Sequence, residues 1–321
     1  MKIKDLISSD INIPITMIEE ALSVARIHVK RFYLEKRNGA KRLILQPSKK
    51  LKTIQYWLII NVFEKLTVHD VAIAYRKNIS ILDNAILHKN NRFFLKIDLK
   101  DFFPSIKYLD LIPKIREWHT KDKPAWLLDE EAENLIRLAC FYKGDILAVG
   151  YPSSPIISNI VMLDFDITIL KLINNKNQFG DVVYTRYADD LVFSTNKAGA
   201  CGLLLKEVSG LISSTSSPNI VLNKTKTKIG SSSGGTASVA GLKICNEGHI
   251  TIHRKQKDHI RLLLGLYSKG MLRTEEYISL VGHLSYVRYV DSNFYTKLQN
   301  KYFKEITKLK DTFKNFGGSD K

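Results

Sequence analysis

The sequence predicts an α+β fold, in which helical and strand-forming segments occupy separate stretches of the chain. Apolar residues recur at helical spacing in four stretches, at 1–30, 49–66, 106–140 and 155–173. Strand-like runs bounded by turn residues lie at 31–47, 92–98, 181–195 and 239–253. From about residue 255 to residue 314 the chain is basic and again helical. Its 321 residues suffice for two or three subdomains with a substantial core.

The strand-forming stretches are defined most clearly by their turns and their charges. Asn38-Gly39 separates two alternating runs, and this dipeptide favours the left-handed backbone of a tight hairpin turn. A second hairpin places Asp189 and Asp190 between two apolar arms. The apolar run at 92–98 ends in a third carboxylate, Asp98. The sequence thus places three acids at the ends or tips of apolar strands.

The charge and composition exclude several classes of protein. Lysine plus arginine number 49 and aspartate plus glutamate 32, which gives a formal net charge of +17. Hydrophobic residues make up 45% of the chain, which excludes a disordered polyelectrolyte. A folded chain with this charge predicts a polyanionic partner, with nucleic acid first and an anionic membrane surface second.

The cysteines and the apolar stretches indicate the compartment. The three cysteines are widely spaced and form no CxxC pair, which argues against a disulfide framework and a zinc site. The first residues lack the apolar run of a signal peptide, and the most apolar long stretch, 155–173, is interrupted by two aspartates. We therefore expect a cytoplasmic protein with no membrane-spanning segment.

Asp98, Asp189 and Asp190 carry the clearest chemical signal. Carboxylates rarely lie in apolar surroundings without a partner. Three of them together would repel one another, and Mg²⁺ commonly binds a few carboxylates along with substrate phosphates. Two Mg²⁺ ions would activate an attacking hydroxyl and stabilise the leaving oxygen, so the pattern predicts phosphoryl or nucleotidyl transfer. The alternative is that Asp189-Asp190 is only a hairpin turn.

The motifs around these acids resemble those of reverse transcriptases. Tyr187-Ala188-Asp189-Asp190 resembles their catalytic box, and Asp98 to Ile106 resembles their first catalytic motif. The other blocks of the family occur in the family's order. Two precede Asp98, namely Arg42 to Ser48 with Leu51, Lys52 and Gln55, and His69 to Ala74 with Arg76, Ser80 and Ile81. Gly150 to Pro155 with Asn159 precedes the catalytic box, and Leu222-Asn223 with Lys226-Thr227 and then Val239 to Leu242 come after it. The resemblance covers roughly residues 30–300.

Two elements resemble bacterial retron reverse transcriptases in particular. Residues Asn84 to His88 match their Asn-Ala-x-x-His element, and Val239-Ala240-Gly241 nearly matches their Val-Thr-Gly triplet. The sequence departs from the family where Ala240 replaces the usual threonine and where Val149 replaces the usual glutamine. The first departure bears on RNA specificity and the second on one template or nucleotide contact, and neither removes a metal ligand.

The resemblance implies a right-hand polymerase architecture and RNA-directed DNA synthesis. The fingers, with an N-terminal helical extension, would comprise residues 1–95. The palm would comprise 96–245, with an antiparallel sheet and a helical insertion around 108–140. A helical thumb would follow at 246–314, and 315–321 would form a flexible tail.

The resemblance also implies roles for residues around the acids. Asp98, Asp189 and Asp190 would be catalytic and would bind two Mg²⁺ ions, with the backbone carbonyl of Leu99 as a further ligand. Phe103 would pack under the sugar of the incoming deoxynucleotide and exclude a 2′-hydroxyl. The alternative for Phe103 is a place in the core.

Three further residues would bind the nucleotide. Arg42 would hold the triphosphate, because a guanidinium matches phosphate oxygens in bidentate geometry, or it is a solvated charge. Lys226 would approach the leaving pyrophosphate as a general acid, or it belongs to a plain basic face. Gly150 would let the backbone approach the base pair closely.

Other residues would contact nucleic acid. Asn84 and His88 share one helix face and would serve RNA binding or packing. Val239-Ala240-Gly241 would form the primer-contacting turn. A basic stripe at helical spacing would bind the phosphates of a duplex, or it is a solvated face, and it consists of Lys297, Lys301, Lys304 and Lys308.

A retron enzyme would recognise its own structured non-coding RNA. It would start DNA from an internal guanosine 2′-hydroxyl and leave a branched RNA–DNA product, with template removal by a host RNase H. It would act in anti-phage defence with a separate effector protein. The alternatives are a group II intron-like, diversity-generating or abortive-infection reverse transcriptase, and a nucleic-acid-binding scaffold without turnover.

Overall fold

The computed structural model describes residues 2–25, 29–35, 39, 41–117 and 124–316. They form two compact units. The first contains Met1–Asn78 and Leu95–Ile229, and the second contains Ile79–Phe94 and Gly230–Lys321. The assignment of residue ranges to fingers, palm and thumb stays a prediction.

Helices and strands alternate irregularly along the chain, as an α+β fold requires. The helices are α1 (Ile3–Ile11), α2 (Ile15–Ser23), α3 (Lys49–Asn61), α4 (Ile81–His88), α5 (Phe102–Ser105), α6 (Tyr108–Arg116), α7 (Glu130–Cys140), α8 (Ser154–Val161), α9 (Leu163–Ile173), α10 (Lys176–Phe179), α11 (Ala200–Ser214), α12 (Arg254–Ser268), α13 (Thr274–Val290), α14 (Ser292–Lys301) and α15 (Phe303–Phe316). The strands are β1 (Val29–Glu35), β2 (Lys41–Pro47), β3 (Phe93–Lys100), β4 (Phe141–Tyr142), β5 (Ile146–Leu147), β6 (Val182–Tyr187), β7 (Asp190–Thr195), β8 (Val221–Leu222), β9 (Lys228–Ser231), β10 (Ser238–Val239), β11 (Leu242–Ile244) and β12 (Ile250–Thr251).

The central sheet places the acids side by side. Its strand order is β6-β7-β3-β8, and β9 also pairs with β3. The hairpin β6–β7 is antiparallel, with Tyr187 opposite Asp190, so Ala188 and Asp189 form its tip. The inner strand β3 carries Asp98, and α11 packs against β7 and β8. Since β3 and β7 are neighbours, the tip of the hairpin lies beside the end of β3.

The first hairpin is confirmed as a two-stranded sheet. Strands β1 and β2 pair from Val29 opposite Pro47 to Glu35 opposite Lys41, and turn residues 36–38 and 40 lie outside the described part of the chain. The base of the hairpin packs into a small apolar cluster of Val29, Leu45, Tyr142, Ala148 and Tyr151. This packing fixes the strand that carries Arg42.

A fully buried ion pair ties the sheet to the helices beside it. The Asp166 carboxylate on α9 accepts hydrogen bonds from Arg186 Nη2 at 2.7 Å and from the Tyr184 hydroxyl at 2.8 Å. Arg186 Nη1 also donates to Asn159 Oδ1 on α8 at 3.0 Å. Both charged side chains have no solvent exposure, so each charge depends on these partners for its solvation.

Several predicted helices are interrupted in the structure. The predicted helix at 155–173 breaks at Met162 into α8 and α9. The predicted helical stretch 106–140 comprises α6 and α7 with a 3-10 turn at Ala125–Leu128, and residues 118–123 lie outside the described range. The N-terminal helical segment comprises α1 and α2.

Among the described residues, the second unit is built from a short sheet and five helices. Strands β10, β11 and β12 form an antiparallel sheet against which α4 packs. Helices α12 to α15 contact one another around apolar side chains such as Leu264, Leu280 and Leu298. Asp291, 2% exposed, caps α14 by accepting the Phe294 N–H at 2.9 Å and pairs with Lys257 Nζ at 2.9 Å.

The C-terminal lysines do not lie on one continuous helix, so the prediction of a single stripe at helical spacing is wrong. Helix α14 ends at Lys301, and Tyr302 has a non-helical backbone before α15 begins. Lys297 and Lys301 therefore lie on α14, and Lys304 and Lys308 on α15, all exposed. The predicted tail at 315–321 is helical as far as Phe316, and 317–321 lie outside the described residues.

Membrane-spanning helices are not found among the described residues, where none of the helices is both long and apolar enough to cross a bilayer.

We expect Asp166→Ala to destabilise the protein strongly, because it leaves the Arg186 guanidinium buried without its carboxylate. The loss should be about 3–5 kcal/mol in the free energy of unfolding, measured by urea denaturation. Glu20→Ala is the matched control, since it removes the exposed carboxylate 2.7 Å from Lys50 Nζ and should cost about 1 kcal/mol or less. Similar losses in the two variants would contradict the importance assigned to the buried pair.

Candidate active site

An open cavity of about 470 Å³ in the first unit collects most of the residues that the sequence analysis assigned to catalysis or nucleotide binding. It is lined by segments that are distant in the sequence, namely Lys41 to Leu43, Tyr75, Asp98 to Pro104, Val149, Asp189, Asn223 and Lys226. Three acids at 98, 101 and 189, four cations at 41, 42, 100 and 226, and three aromatic rings at 75, 102 and 103 therefore share one cavity. This mixture suits a ligand that carries phosphates and a flat base.

Asp98 is held at the cavity by hydrogen bonds to both carboxylate oxygens. It is 5% exposed, and Asn223 Nδ2 donates to Oδ1 at 2.8 Å while Lys226 Nζ lies 3.0 Å from Oδ2. The backbone of Asn223 donates to the carbonyl of Asp98 at 2.8 Å, and the Leu99 N–H donates to the carbonyl of Asp189 at 2.9 Å. These bonds connect Asp98 and Asp189 through the main chain.

The proximity of the acids is unfavourable without a counter-charge. Burial, followed by the charges of Asp190 and Asp98, raises the pKa of Asp189, and Lys226 only partly opposes this. A divalent cation between Asp98 and Asp189 would relieve the repulsion, and hard carboxylate oxygens are the donors that such a cation prefers. The donor set therefore fits a divalent metal.

Asp190 differs from the other two acids in its partner. It is the first residue of β7, and Lys96 Nζ lies 2.6 Å from its Oδ2. Within the described ranges, no three His, Cys, Asp or Glu side chains are arranged to hold a metal ion. The structure thus brings Asp98 and Asp189 to the cavity and directs Asp190 to Lys96, and the three-acid ligand set stays a prediction.

Lys226 is paired with an acid rather than free to face a leaving group. The hydrogen bond to Asp98 is the main cause that raises the pKa of Lys226, so this side chain is a cation at neutral pH. Its position in the cavity is compatible with contact to a phosphate. The role of general acid stays a prediction.

Arg42 and Phe103 both line the cavity, on different elements. Arg42 is exposed on β2. Phe103 follows β3 on the short helix α5, where its ring contacts Phe102 at a centroid distance of 5.5 Å and Tyr75 at 6.3 Å. Phe102 is buried and Phe103 only half-buried, so of the two rings Phe103 is the one available to a ligand.

Gly150 is required by the protein's own packing, and its close approach to the base pair stays a prediction. Its φ is +110°, and a Cβ there would lie 2.6 Å from the Leu45 carbonyl oxygen and 2.9 Å from Ile44 Cγ2. The neighbouring Val149 carbonyl accepts the Leu45 N–H at 2.8 Å. Only glycine lets β2 dock here, so Gly150 sets the place of the strand that carries Arg42.

Three residues at the site were missed by the sequence analysis. Asn223 belongs to the motif Leu222-Asn223 with Lys226-Thr227, but the sequence analysis predicted no function for it. Lys96 lies just before the motif that begins at Asp98, and no residue pattern marked it as functional. Tyr75 has a φ of +65°, a left-handed conformation that costs a non-glycine residue about 1–2 kcal/mol. No residue pattern signals positive φ at a tyrosine, so only the structure could reveal it.

Asn84 and His88 are buried in the structure, which favours packing among the two roles predicted for them. Both side chains on α4 have 0% exposure. Burial lowers the pKa of His88 to about 3, so the imidazole is neutral at physiological pH. Its ring lies 6.4 Å from that of Phe94. Neither side chain is available to a phosphate.

The triplet Val239-Ala240-Gly241 forms the turn between β10 and β11. Val239 is fully buried, which places its side chain out of reach of nucleic acid. Ala240 and Gly241 have φ of +46° and +85° and are at least partly exposed. Contact with primer or RNA by this turn stays a prediction.

The paired strands, Asp98, Asp189 and the cations that line the cavity are typical of a nucleotidyltransferase. The chain matches the family described as "Reverse transcriptase (RNA-dependent DNA polymerase)" over residues 34–266. The chain belongs to this family, and it is an RNA-directed DNA polymerase with a right-hand fold and the divalent-metal dependence of the family.

Within this family, the similarity to known proteins assigns the chain to the bacterial retron-type reverse transcriptases. The chain is 43% identical to the retron Ec73 reverse transcriptase of Escherichia coli over 279 residues, which cover 86% of this chain and 88% of that protein. It is 31% identical to the retron Ec83 reverse transcriptase of Escherichia coli over 282 residues, or 86% and 87% of the two chains. An apo telomerase structure from Candida tropicalis, truncated from its C-terminal domain, has a TM-score of 0.49 at 13% identity and covers 70% of this chain and 55% of that chain.

We expect His88 to make the protein less stable in acid. Because its pKa in the folded state is lowered to about 3, the unfolded chain binds the proton first as the pH falls below about 6.5. Stability should then fall by up to about 1.4 kcal/mol per pH unit from this group between about pH 6 and pH 3. His88→Gln should show a shallower fall of unfolding free energy between pH 6 and pH 4, and an unchanged slope would contradict the assignment.

Proposed function

We propose that the enzyme uses this cavity to synthesise DNA on a cognate structured non-coding RNA, starting from the 2′-hydroxyl of an internal guanosine. The observation that carries the proposal is the meeting of Asp98 and Asp189, from separate strands, beside Lys226, Arg42 and Phe103. The product would be branched multicopy single-stranded DNA. Support comes from the retron-like elements at 84–88 and 239–241 and from the retron relatives.

Asp98 and Asp189 would hold two Mg²⁺ ions together with the Leu99 carbonyl, and Asp190 would contribute when it leaves Lys96. When bound, these ions would lower the pKa of the attacking hydroxyl and stabilise charge on the phosphate. Hard oxygen donors and a phosphate substrate favour Mg²⁺ over softer metals.

The other side chains would bind and select the nucleotide. Arg42 would hold the triphosphate by paired hydrogen bonds from its guanidinium. Lys226 would exchange its partner Asp98 for the β-phosphate and protonate the leaving pyrophosphate. Phe103 would reject a ribose because its ring occupies the space that a 2′-hydroxyl needs. Gly150 would let the backbone approach the base pair closely, and it also permits the docking of β2.

The exposed lysines on α14 and α15 would bind the RNA–DNA duplex through its phosphates. We assign fingers to 1–95, palm to 96–245 and thumb to 246–314 as a working division. The enzyme would act in the cytoplasm, and a host RNase H would remove the template. A separate effector protein would couple the product to anti-phage defence. These assignments are supported by the resemblance to retron enzymes.

We expect Asp189→Asn to abolish DNA synthesis on the cognate non-coding RNA. Loss of one of two metal-binding carboxylates should lower the rate by at least about 100-fold, since such an ion contributes several kcal/mol to catalysis. Radiolabelled dNTP incorporation measures it, and treatment of the product with a 2′–5′ debranching nuclease shows whether the DNA is joined to a 2′-oxygen.

The matched control is Asp181→Asn, because Asp181 is an exposed aspartate that lies outside the cavity. It should keep both synthesis and RNA binding. Wild-type synthesis by Asp189→Asn would refute the catalytic assignment and favour a scaffold. Robust synthesis of a product that resists debranching would refute the priming mode alone.

We expect Phe103→Ala to accept ribonucleotides more readily. Removing the ring opens the space under the sugar, and the preference for dNTP over rNTP should fall by about tenfold or more, equivalent to about 1.4 kcal/mol. Single-nucleotide extension of a DNA primer on an RNA template measures the ratio of the two kcat/KM values. Phe103→Tyr keeps the ring and should keep the preference, so an equal fall in both variants would point to general damage.

A further inference from the structure

Tyr75 combines two properties that core packing does not explain. Its backbone lies in the left-handed region at φ +65°, which bulky side chains rarely adopt. Its side chain is also 49% exposed, so the strain does not serve to bury the ring. Backbone strain of this kind persists only where the surrounding structure enforces it, and it concentrates at functional sites.

The core enforces the conformation of Tyr75 from its N-terminal side. Ile73 N donates to the Arg186 carbonyl at 2.9 Å, and the Ala74 carbonyl accepts Asn159 Nδ2 at 2.9 Å. Asn159 is held in turn by the guanidinium of Arg186 at 3.0 Å. Because Arg186 belongs to the buried ion pair, this chain of bonds cannot relax without disturbing a buried charge.

The ring of Tyr75 lies between the two catalytic motifs. Its centroid is 6.3 Å from that of Phe103 and 6.5 Å from that of Tyr187, within the range at which aromatic rings attract one another. Tyr187 stands two residues before Asp189. Tyr75 and Phe103 line both the acidic cavity and an adjoining cavity of about 390 Å³. The two rings therefore form a wall that the cavities share.

We propose that Tyr75 is a positioning residue for sugar selection, which holds the Phe103 ring in place against Phe102. The inference rests on the proposed role of Phe103 and extends it. Phe102, which is 4% exposed, contacts the Phe103 ring at a centroid distance of 5.5 Å, and Tyr75 contacts the same ring at 6.3 Å. A ring excludes a hydroxyl by repulsion only if the ring cannot move aside, so the filter needs a support on each side.

The test compares dNTP and rNTP incorporation on an RNA template with a DNA primer. Tyr75→Ala should lower the ratio of the two kcat/KM values about tenfold, whereas Tyr75→Phe keeps the ring and should stay near the wild-type ratio. Because Tyr75 acts through Phe103, the double variant Tyr75→Ala with Phe103→Ala should lose no more discrimination than Phe103→Ala alone. Phe303→Ala removes an exposed ring on α15 and should leave the ratio unchanged.

Tyr75→Gly separates discrimination from folding. Glycine suits a φ of +65°, so this variant should unfold at a urea concentration no lower than Tyr75→Ala does, while its discrimination falls equally. A wild-type ratio in Tyr75→Ala beside a lowered ratio in Phe103→Ala would overturn the inference and leave the role of Phe103 standing. Additive losses in the double variant would also overturn it. A wild-type ratio in Phe103→Ala would overturn both.

Discussion

The buried ion pair between Arg186 and Asp166 is the constraint on which the geometry of the site depends. Neither charge reaches solvent, so each must be satisfied by protein groups. Satisfying them brings together β6, α8 and α9, since Asn159 and the Tyr184 hydroxyl complete the network. The hairpin β6–β7 is thereby anchored at the strand that leads to Asp189. The buried pair of Arg186 and Asp166 therefore helps to fix the position of Asp189 in the cavity.

The same anchoring explains how repelling acids can stay adjacent. Asp98 and Asp189 are joined through the main chain at Leu99, so they cannot separate to relieve the repulsion that raises the pKa of Asp189. Lys226 and Lys96 supply partial compensation, each on a different acid. The electrostatic cost is thus built into the fold, and it makes the binding of a divalent cation favourable at the place where phosphate must bind.

The sequence was sufficient for features that local pattern determines. The hairpins and the strand ending near Asp98 followed from alternation and turn residues. The grouping of Asp98, Asp189, Lys226, Arg42 and Phe103 at one cavity followed from the resemblance to reverse transcriptases. Features that depend on tertiary contact did not follow. The need for glycine at position 150 arises from the Leu45 carbonyl, and the burial of His88 arises from its neighbours in the second unit. The helix break at Tyr302 has no glycine or proline beside it that would signal it in the sequence.

The strained tyrosine shows why such features escape sequence analysis and why they matter. Local preference opposes φ +65° at Tyr75, and the conformation is kept only because Arg186, Asn159 and the backbone of 71–74 outweigh it. Selection between sugars that differ by one hydroxyl cannot rest on attraction, since both sugars offer nearly the same contacts. It must rest on exclusion by a wall that does not yield. Tyr75, held in place through Asn159 and Arg186, gives the Phe103 ring a rigid neighbour, which a flexible loop of the same composition would not provide.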